Sequence, residues 1–574
     1  MSYDLMFNKA NELYSCGYYD EAEKLYRNIM EAVPENADVL NMMGLTAQAK
    51  GLHAQAVSYF SQAIKITPKH LPLYFNLAIS YQNLKKFIQA IDAYNKVLEL
   101  NPNIKETYNN LGEIFEQLHD KEKAISYYQK ALLLDNNYVE ALVNLAVLKN
   151  DINALKDLNI KYPNSALIFY YLAKFEFDNA NFIEALKHLD TANKLKQNSF
   201  EINLLKAKTN LQLKNIKEAA EDFYTVINVN PKCIEAWLNL AYIEENETYY
   251  LKVLDLDPDN IPAHANYANL LYKQNRTLEA LEEYRKAVIL NPDLPELSNN
   301  LALVLKDLGD YERALDLMMN AFIKDNKNIE FSLNIAETLI LFYPKDNTKA
   351  LSIAEKWSNL SPDNVFAKHT LASFKGEQLN PDNQYVKELF DMFALTYDNT
   401  MQQIKYAVID KIDQLNIEFS GNILDLGCGT GAFASRFHNE NVTITGIDIS
   451  QNMLDIANKK NIYHKLINAD IVDFLKDNTL KYNFVVAADV FEYIDNIEDV
   501  ISNIGKTTLI FNIETANEDI EKYALSYNGR FKHNPKYVKN ILNKYGYQNI
   551  LEYSLELRQE NGTPVNGILF VAKQ

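Results

Sequence analysis

The feature that most constrains this chain is a set of residues that recur every 34 positions. Small residues, an aromatic residue and a proline each return at this spacing, which predicts a repeated hairpin of two helices. Small side chains let two helices touch, the aromatic ring fills the space beside them, and the proline stops the second helix. The recurring sets are Ala10, Gly44, Ala78, Gly112 and Ala146; Ala22, Ala56, Ala90 and Ala124; Tyr26, Phe60, Tyr94 and Tyr128; and Pro34, Pro68 and Pro102.

This pattern resembles the tetratricopeptide repeat. The resemblance implies an α solenoid of about eleven units over residues 1–374, with a core between neighbouring repeats and a face that binds a protein or peptide. Two units, around Val139 to Ser165 and Ile234 to Asn260, are shorter, because the next set of small residues arrives early. The polar stretch 375–384, which contains Gly376 and Pro381, is predicted to be a linker.

An asparagine stands two positions before the small residue in many of the units. A carboxamide both donates and accepts hydrogen bonds, which suits the amide groups of an extended peptide. Similar asparagines line the groove in repeats of the protein O-GlcNAc transferases, and this resemblance implies a peptide groove. The alternative is that asparagine is common in this chain and at this repeat position for structural reasons. The predicted groove residues are Asn76, Asn110, Asn144, Asn239, Asn266, Asn300 and Asn334.

From Tyr385 onward, short apolar runs alternate with helix-sized segments, which predicts an α/β fold over residues 385–574. The first five runs are separated by crossovers and the last two by a turn around Asn561, Gly562 and Pro564. The prediction is therefore a seven-stranded, doubly wound sheet with a terminal hairpin. The predicted strands are Asn422 to Leu426, Val442 to Ile447, Tyr463 to Ala469, Asn483 to Ala488, Thr508 to Ile513, Asn549 to Leu557 and Gly567 to Ala572.

The segment Ile423 to Gly431 reads Ile-Leu-Asp-Leu-Gly-Cys-Gly-Thr-Gly at the end of the first predicted strand. Glycine is needed where a Cβ would block both a tight turn and the close approach of a ligand. Asp448 ends the second strand, where a ribose would present its hydroxyl groups. These features alone leave NAD and S-adenosylmethionine both open as cofactors.

The details resemble motif I of class I methyltransferases, in which an acid precedes the glycines. Asp425 then matches the acid that binds the methionine end, Asp448 the ribose acid and Asp470 the acid that reads the adenine amino group. This resemblance implies a Rossmann-like domain that binds S-adenosyl-L-methionine. Leu389 to Asp391 and Ala488 to Tyr493 are further similar to bacterial methyltransferases that carry tetratricopeptide repeats. The implied cofactor-binding residues are Asp425, Gly427, Gly429, Gly431, Asp448, Ile449, Met453, Ala469, Asp470, Ile471 and Asp489.

The catalytic residue stays unassigned, because a sulfonium is already a good leaving group and methyl transfer needs mainly alignment of the nucleophile. The candidates are Tyr397, Asp489, Tyr493 and His533, with Asp398 and Glu514 as further ones. A tyrosine ring could face the sulfonium charge or orient an amine, although the chain holds 37 tyrosines and core aromatics are the alternative. His533 precedes a predicted helix start, where a surface histidine in the capping loop is the alternative to a base.

Charge and cysteine usage exclude several classes of protein. A net charge of −19 and a pI of about 5.1 argue against general binding to nucleic acid. Cys16, Cys233 and Cys428 are far apart, which indicates no disulfide framework and no metal site and favours a reducing cytoplasm. We find no segment with the pattern of a signal peptide or membrane span.

Taken as a sequence, the chain is most consistent with an S-adenosylmethionine-dependent methyltransferase that acts on a protein or peptide recruited by the repeats. One alternative is an interaction scaffold whose cofactor domain is vestigial. Another is a methyltransferase for a small molecule, in which the repeats serve assembly. The sequence specifies neither the acceptor atom nor the partner nor an oligomeric state.

Overall fold

The computed structural model describes residues 3–377, 383–477, 481–560 and 562–574. The chain forms two compact units, Met1–Leu256 and Asp257–Gln574. The second unit contains the last helical repeats together with the α/β part, whereas the sequence suggested a division between residues 374 and 385. Residues 378–382 of the predicted linker and Asn561 of the predicted hairpin turn lie outside the described residues.

The first unit consists of paired helices with short connections. Two repeats were predicted to be short, and the structure confirms this. Their helices have 10 or 11 residues, whereas the helices of the neighbouring repeats have 13 and 14. In the described part of this unit the helices are α1 (Tyr3–Ser15), α2 (Tyr19–Ala32), α3 (Ala37–Ala49), α4 (His53–Ile66), α5 (Leu71–Asn83), α6 (Phe87–Leu100), α7 (Lys105–Gln117), α8 (Lys121–Leu134), α9 (Val139–Leu148), α10 (Ile152–Lys161), α11 (Ala166–Asp178), α12 (Phe182–Leu195), α13 (Phe200–Gln212), α14 (Ile216–Val229), α15 (Ile234–Glu244) and α16 (Glu247–Leu256).

Packing within the hairpins follows the predicted pattern of small and aromatic residues. A Cβ on Gly44 would lie 2.4 Å from the ring of Phe60, and a Cβ on Gly112 would lie 2.5 Å from the ring of Tyr128. The buried ring therefore occupies the space that a side chain at the small position would need. The repeated prolines each follow the end of a second helix by two residues.

The second unit begins with three more hairpins and one single helix, so that α1 to α22 give the predicted eleven hairpins within the described residues. An apolar core runs from these repeats into the helix that follows them, and it includes Phe366, Tyr385 and Leu389. The helices are α17 (Ile261–Lys273), α18 (Thr277–Leu290), α19 (Pro295–Asp307), α20 (Tyr311–Lys324), α21 (Ile329–Phe342), α22 (Asn347–Leu360), α23 (Val365–Lys375), α24 (Asn383–Phe393), α25 (Tyr397–Gln403) and α26 (Val408–Gln414).

The sheet of the second unit contains all seven predicted strands. Its strands are β1 (Gly421–Leu426), β2 (Val442–Asp448), β3 (Lys465–Asn468), β4 (Phe484–Ala487), β5 (Thr508–Glu514), β8 (Asn549–Glu560) and β9 (Thr563–Lys573). The third strand is shorter than predicted. A separate hairpin of β6 (Tyr523–Leu525) and β7 (Phe531–His533) was not predicted. The other elements are α27 (Ala432–Phe437), α28 (Gln451–Lys459), α29 (Ile471–Asp477), a 3₁₀ helix (Phe491–Tyr493), α30 (Ile497–Ile501) and α31 (Pro535–Lys544).

The strand order places the glycine turn at the centre of the sheet. The order is β3-β2-β1-β4-β5-β9-β8, with the first five strands parallel and β9 antiparallel to both neighbours. The order reverses between β1 and β4, so the loops that follow these strands diverge and leave a crevice at their carboxyl ends. Ile423 and Leu424 pack into apolar cores on opposite faces of the sheet, as expected of a buried parallel strand.

Candidate functional site

Three glycines form the turn that follows β1. Gly427, Gly429 and Gly431 all adopt left-handed backbone conformations, with φ of 61°, 53° and 94°. A Cβ on Gly427 would lie 2.7 Å from Val490 Cγ2, and one on Gly431 would lie 3.0 Å from the ring of Tyr463. The turn therefore needs glycine both for its backbone angles and for its close packing.

Asp448, at the end of β2, holds this turn in place. Its Oδ2 accepts a hydrogen bond from the Gly429 amide at 2.8 Å, and its Oδ1 accepts one from the Ser450 amide at 2.8 Å. Burial raises the pKa of Asp448 to about 6, and these two amides oppose that rise. A carboxylate has about four acceptor positions, so Asp448 can still accept bonds from two vicinal hydroxyl groups.

Asp425, near the end of β1, is buried beside the turn. Tyr463 Oη donates a hydrogen bond to Asp425 Oδ2 at 2.6 Å. Burial, together with the nearby charge of Asp448, raises the pKa of Asp425 to about 7, and the hydrogen bond from Tyr463 opposes that rise. A cationic group bound here would favour the ionised carboxylate. Tyr463 is a partner that the sequence analysis did not identify.

Among the described residues, two cavities are lined by Gly427 and Gly429 of the turn, and a third shares Tyr397 with both of them. The Asp448 cavity has a volume of about 480 Å³, the Asp425 cavity about 540 Å³ and the Glu337 cavity about 350 Å³. Eight of the predicted cofactor residues line the Asp448 cavity: Gly427, Gly429, Asp448, Ile449, Met453, Asp470, Ile471 and Asp489. Asp425 lines the Asp425 cavity together with Gly427 and Gly429.

The two remaining predicted cofactor residues lie next to the site without lining its cavities. Gly431 and Ala469 line none of the three cavities. Gly431 packs against Tyr463, and the Ala469 amide donates to the Asp448 carbonyl oxygen at 3.1 Å. Both residues therefore shape the turn and the end of β3 and do not face the described cavities.

Helices α24 and α25 lie over the turn and are tied to it by carboxylates. Asp391 Oδ1 accepts hydrogen bonds from Ser450 Oγ at 2.6 Å and from the Asn452 amide at 3.3 Å, so α24 is fixed to the start of α28. Asp398, a further catalytic candidate, accepts a hydrogen bond from Thr430 Oγ1 and pairs with Lys460 at 3.0 Å. Phe390 and Tyr397 of these helices line the Asp448 cavity.

The four main catalytic candidates fall into two groups. Tyr397 lines all three cavities, whereas Asp489 and Tyr493 line the Asp448 and Glu337 cavities. His533 is fully buried and lines none of the three, so it is not a surface histidine. Its Nε2 bonds the Phe491 carbonyl oxygen at 2.8 Å, and burial lowers its pKa to about 4. This contact anchors the 3₁₀ helix that carries Tyr493.

An ionic cluster that was not predicted from the sequence surrounds Asp489. Arg558 is fully buried and bonds Asp489 Oδ1 at 3.0 Å and Glu560 Oε1 at 2.8 Å, and it also contacts Glu514. Arg530 bonds Glu560 Oε1 at 2.5 Å. Asp489 itself adopts a left-handed conformation with φ of 58°. The only sequence signal was the alternation along β8, which puts residues 558 and 560 on one face.

Several predicted groove asparagines bond the preceding repeat. In the first unit, Nδ2 of Asn76 donates to Asn41 at 3.5 Å and Nδ2 of Asn144 donates to Asn109 at 3.1 Å. In the second unit, Nδ2 of Asn334 donates to Asn299 at 3.1 Å. These bonds give the asparagine series a structural role between repeats. Asn110 donates to Tyr94 Oη and Asn239 to the carbonyl oxygen of Glu235, while Asn266 and Asn300 occupy the equivalent positions on α17 and α19.

Comparisons with known proteins agree with this architecture. Residues 400–552 match the family model described as methyltransferase domain. Residues 37–70, 72–104, 106–138, 249–282 and 298–323 match models described as tetratricopeptide repeat, and residues 268–309 match one described as TPR repeat. The chain joins tetratricopeptide repeats to a methyltransferase domain. The glycine turn, Asp425 and Asp448 all lie within the methyltransferase domain.

Individual relatives resemble parts of the chain. A malonyl-[acyl-carrier protein] O-methyltransferase of Buchnera aphidicola subsp. Baizongia pistaciae (strain Bp) is 33% identical over 92 residues, which are 16% of this chain and 36% of that protein. The mitochondrial import receptor subunit TOM70 of Saccharomyces cerevisiae (strain YJM789) is 25% identical over 279 residues, 46% of this chain and 41% of that protein. A crystal structure of a tetratricopeptide repeat protein from Parabacteroides merdae ATCC 43184 has a TM-score of 0.37 and 19% identity, covering 42% of this chain and 99% of that one.

The chain spans only 31%, 27% and 29% of three further curated relatives. Among the residues that the structure describes, no helix combines the length and apolar character needed to cross a membrane. In the same ranges, no group of three or more His, Cys, Asp or Glu side chains is placed to hold a metal ion.

Proposed function

We propose that this methyltransferase domain uses S-adenosyl-L-methionine and methylates a protein or peptide that the repeats recruit. The observation that carries the proposal is the set of acids at three successive strand ends around the glycine turn. Asp425 lies near the end of β1, Asp448 ends β2 and Asp470 follows β3. These three acids line the two cavities that share Gly427 and Gly429.

The residues present fit this cofactor. Gly429 offers a backbone surface without a side chain, where a Cβ would point towards Tyr397 at 3.9 Å. Asp448 retains acceptor positions for ribose hydroxyls, Asp470 stands at the end of β3 for an adenine amino group, and buried Asp425 suits the cationic methionine end. When bound, S-adenosylmethionine supplies a methyl group already activated on a sulfonium. The chain's own residues need only exclude water and align the acceptor, which can lower a barrier by roughly 7–11 kcal/mol.

The partner side of the proposal rests on the repeats. In the first unit, the bonds between repeats use the Nδ2 atoms of Asn76 and Asn144, so their Oδ1 atoms would accept hydrogen bonds from the backbone amides of an extended peptide. The proposal keeps the cytoplasm as the compartment, as the three widely spaced cysteines suggested from the sequence.

Cofactor binding is the first test. Isothermal titration of the full chain with S-adenosylhomocysteine should show one binding site, and Gly429→Arg should abolish it because the side chain enters the cavities. Gly562→Arg is the matched control, since Gly562 is also left-handed, with φ of 75°, but has open space around it. If the unchanged protein shows no binding, the enzymatic proposal is lost and an interaction scaffold is favoured.

The acceptor class is tested separately. Tritiated S-adenosylmethionine added to cell extract should label macromolecules, and replacing Asn76, Asn110 and Asn144 by alanine should reduce that label without changing affinity for S-adenosylhomocysteine. Label that appears only in the small-molecule fraction would contradict recruitment of a protein. A variant with both Asp425 and Asp448 replaced by alanine tests the scaffold alternative. If this variant captures partners as well as the unchanged protein does, and no methyl label is transferred in the extract, the protein is a scaffold.

A further inference from the structure

The Glu337 cavity joins the last repeats to the methyltransferase domain within the second compact unit. Glu337 and Ile340 of α21 and Phe366 of α23 line it from the repeat side, whereas Asp489 and Glu560 line it from the sheet side. Its volume of about 350 Å³ suits a single side chain or a small molecule. The helical repeats therefore form one wall of a pocket in the methyltransferase domain.

This cavity borders the proposed cofactor site. Phe390, Tyr397, Asp489 and Tyr493 line both the Glu337 and Asp448 cavities. The ring of Phe390 packs edge-on against Tyr493 at 5.0 Å, and it lies 6.2 Å from the ring of Tyr397. A group bound in the Glu337 cavity would therefore lie next to the donor, because the same four residues line both cavities.

The charges around the cavity favour a cation. Its charged lining residues are Glu337, Asp489 and Glu560 against Arg530 alone, which leaves a formal excess of two negative charges. Lys306 approaches Glu337 at 3.5 Å from the neighbouring repeat and offsets part of that excess. Aromatic rings beside buried carboxylates attract cations and disfavour anions.

Two further acids lie next to residues that line the cavity. Glu492 precedes Tyr493, and Glu514 lies 3.5 Å from Arg530. Both are buried, and in the described residues one carboxylate oxygen of each has no hydrogen-bond partner. Arg558 contacts Asp489 and Glu514 without lining the cavity. Burial raises the pKa of Glu514 to about 7 and also raises that of Asp489. The cluster thus contains more carboxyl groups than guanidinium groups, and a bound cation would favour the ionised forms that burial disfavours.

We propose that the Glu337 cavity is the acceptor site and takes a primary alkylamine, with a protein lysine side chain as the occupant. Its apolar stem lies along Phe366 and Phe390, and its nitrogen lies between Asp489 and Glu560. The assignment rests on the proposed use of S-adenosylmethionine. The repeats then contribute directly to acceptor selection through Glu337 and Phe366.

The proposed reaction balances without a further reactant. The bound ammonium gives one proton to the Glu560 carboxylate, which frees the nitrogen lone pair. That lone pair forms the new N–C bond as the methyl C–S bond breaks, and the bonding pair of electrons remains on sulfur. The products are an N-methylammonium and the neutral thioether, and the proton on Glu560 passes to solvent.

Ligand-observed NMR on the full chain, saturated with S-adenosylhomocysteine, tests the charge preference. The probes are Nα-acetyl-lysine methylamide, its uncharged Nε-acetyl derivative and the anionic Nα-acetyl-glutamate methylamide. We expect the lysine probe to bind about tenfold more tightly than either of the others. Equal or tighter binding of the uncharged or anionic probe, or no binding of the lysine probe, would overturn the proposal.

Variants on both walls make the test specific. Glu560→Gln and Glu337→Gln should each weaken binding of the lysine probe several-fold. Their matched controls are Glu556→Gln on β8 and Glu330→Gln on α21, which are exposed and do not line the cavity. Affinity for S-adenosylhomocysteine should stay within about twofold in all four, which shows that the proteins are folded. If the unchanged protein does not bind S-adenosylhomocysteine, the proposed function itself is rejected. If it binds S-adenosylhomocysteine but not the lysine probe, only this inference is rejected.

The transferred group identifies the acceptor atom. After labelling with tritiated S-adenosylmethionine and acid hydrolysis, we expect the label in Nε-methyllysine. Label on the amine of a small molecule would keep the amine chemistry and assign a free alkylamine as the source. Label released as methanol during hydrolysis, as from a methyl ester, or label in an ether would overturn the proposal.

Discussion

At the scale of single residues, the fold favours the protonated, uncharged forms of the Asp425 and Asp448 carboxyl groups. Burial raises the pKa of Asp425 to about 7 and that of Asp448 to about 6, from an ordinary value of 3.8. Without cofactor, the folded protein therefore binds more protons than the unfolded chain between about pH 4 and pH 7. The stability that these groups contribute is present at low pH and is lost as the pH rises through their folded pKa values.

We expect cofactor binding to reverse this preference, because a cationic methionine end stabilises ionised Asp425. A group with a pKa of about 7 is ionised in about one-tenth of molecules at pH 6 and nine-tenths at pH 8, so affinity for S-adenosylhomocysteine should rise about tenfold over that range. Isothermal titration at several pH values measures it. Asp425→Asn should bind more weakly and with a flatter pH profile, and an unchanged profile would show that Asp425 does not face the cofactor.

The residues that the sequence predicted at this scale are those whose role is local. Gly427 and Gly429 were predictable because their backbone conformations follow from a tight turn after a strand, and Asp448 because it ends the next strand. Tyr463 was missed because its partner Asp425 lies 38 positions away. Arg558 and Asp489 are 69 positions apart, and only the fold brings them into contact.

At the scale of elements, helix α24 connects the repeats with the loop that begins α28. Tyr385 near its start stacks on His369 of α23 with ring centroids 3.8 Å apart, and Asp391 near its end accepts from Ser450 at the start of α28. The spacing of small and apolar residues in the sequence predicted the helices and the long strands well. The β6–β7 hairpin was missed because strands of three residues are too short to show alternation.

Asp391→Ala should release α24 from α28 and reduce affinity for S-adenosylhomocysteine several-fold. The reason is that Ser450 Oγ and the Asn452 amide lose a charged acceptor, and hydrogen bonds to charged groups contribute about 1.5–3 kcal/mol. Isothermal titration and thermal unfolding measure the two effects. Glu388→Ala is the control, because Glu388 accepts a hydrogen bond from Gln384 of the same helix. Equal losses in both variants would contradict a specific role for Asp391.

At the scale of the whole molecule, the compact units do not follow the change in sequence pattern. The periodic repeats end near residue 374, yet the second unit begins at Asp257. His369 Nε2 of α23 bonds the Gly529 carbonyl oxygen at 2.8 Å, and Tyr343 of the last hairpin stacks on Tyr527 at 5.6 Å. A repeat pattern predicts where helices lie, but not which of them share a core with the following domain.

We therefore expect residues 257–574 to fold alone and to bind S-adenosylhomocysteine with the affinity of the full chain. Residues 385–574, the domain suggested by the sequence, should bind more weakly and unfold at a lower temperature. The reason is that this shorter fragment loses Phe366 and His369, which pack against the ring of Tyr385, and exposes the apolar side of α24. Burial of an aromatic side chain contributes about 1.5–3 kcal/mol, so the loss of this contact surface should be evident in thermal unfolding. Isothermal titration with S-adenosylhomocysteine and thermal unfolding, carried out on both fragments and on the full chain, test this expectation. Full affinity and stability in residues 385–574 would show that the last repeats are only attached to the methyltransferase domain and form no part of its folding unit.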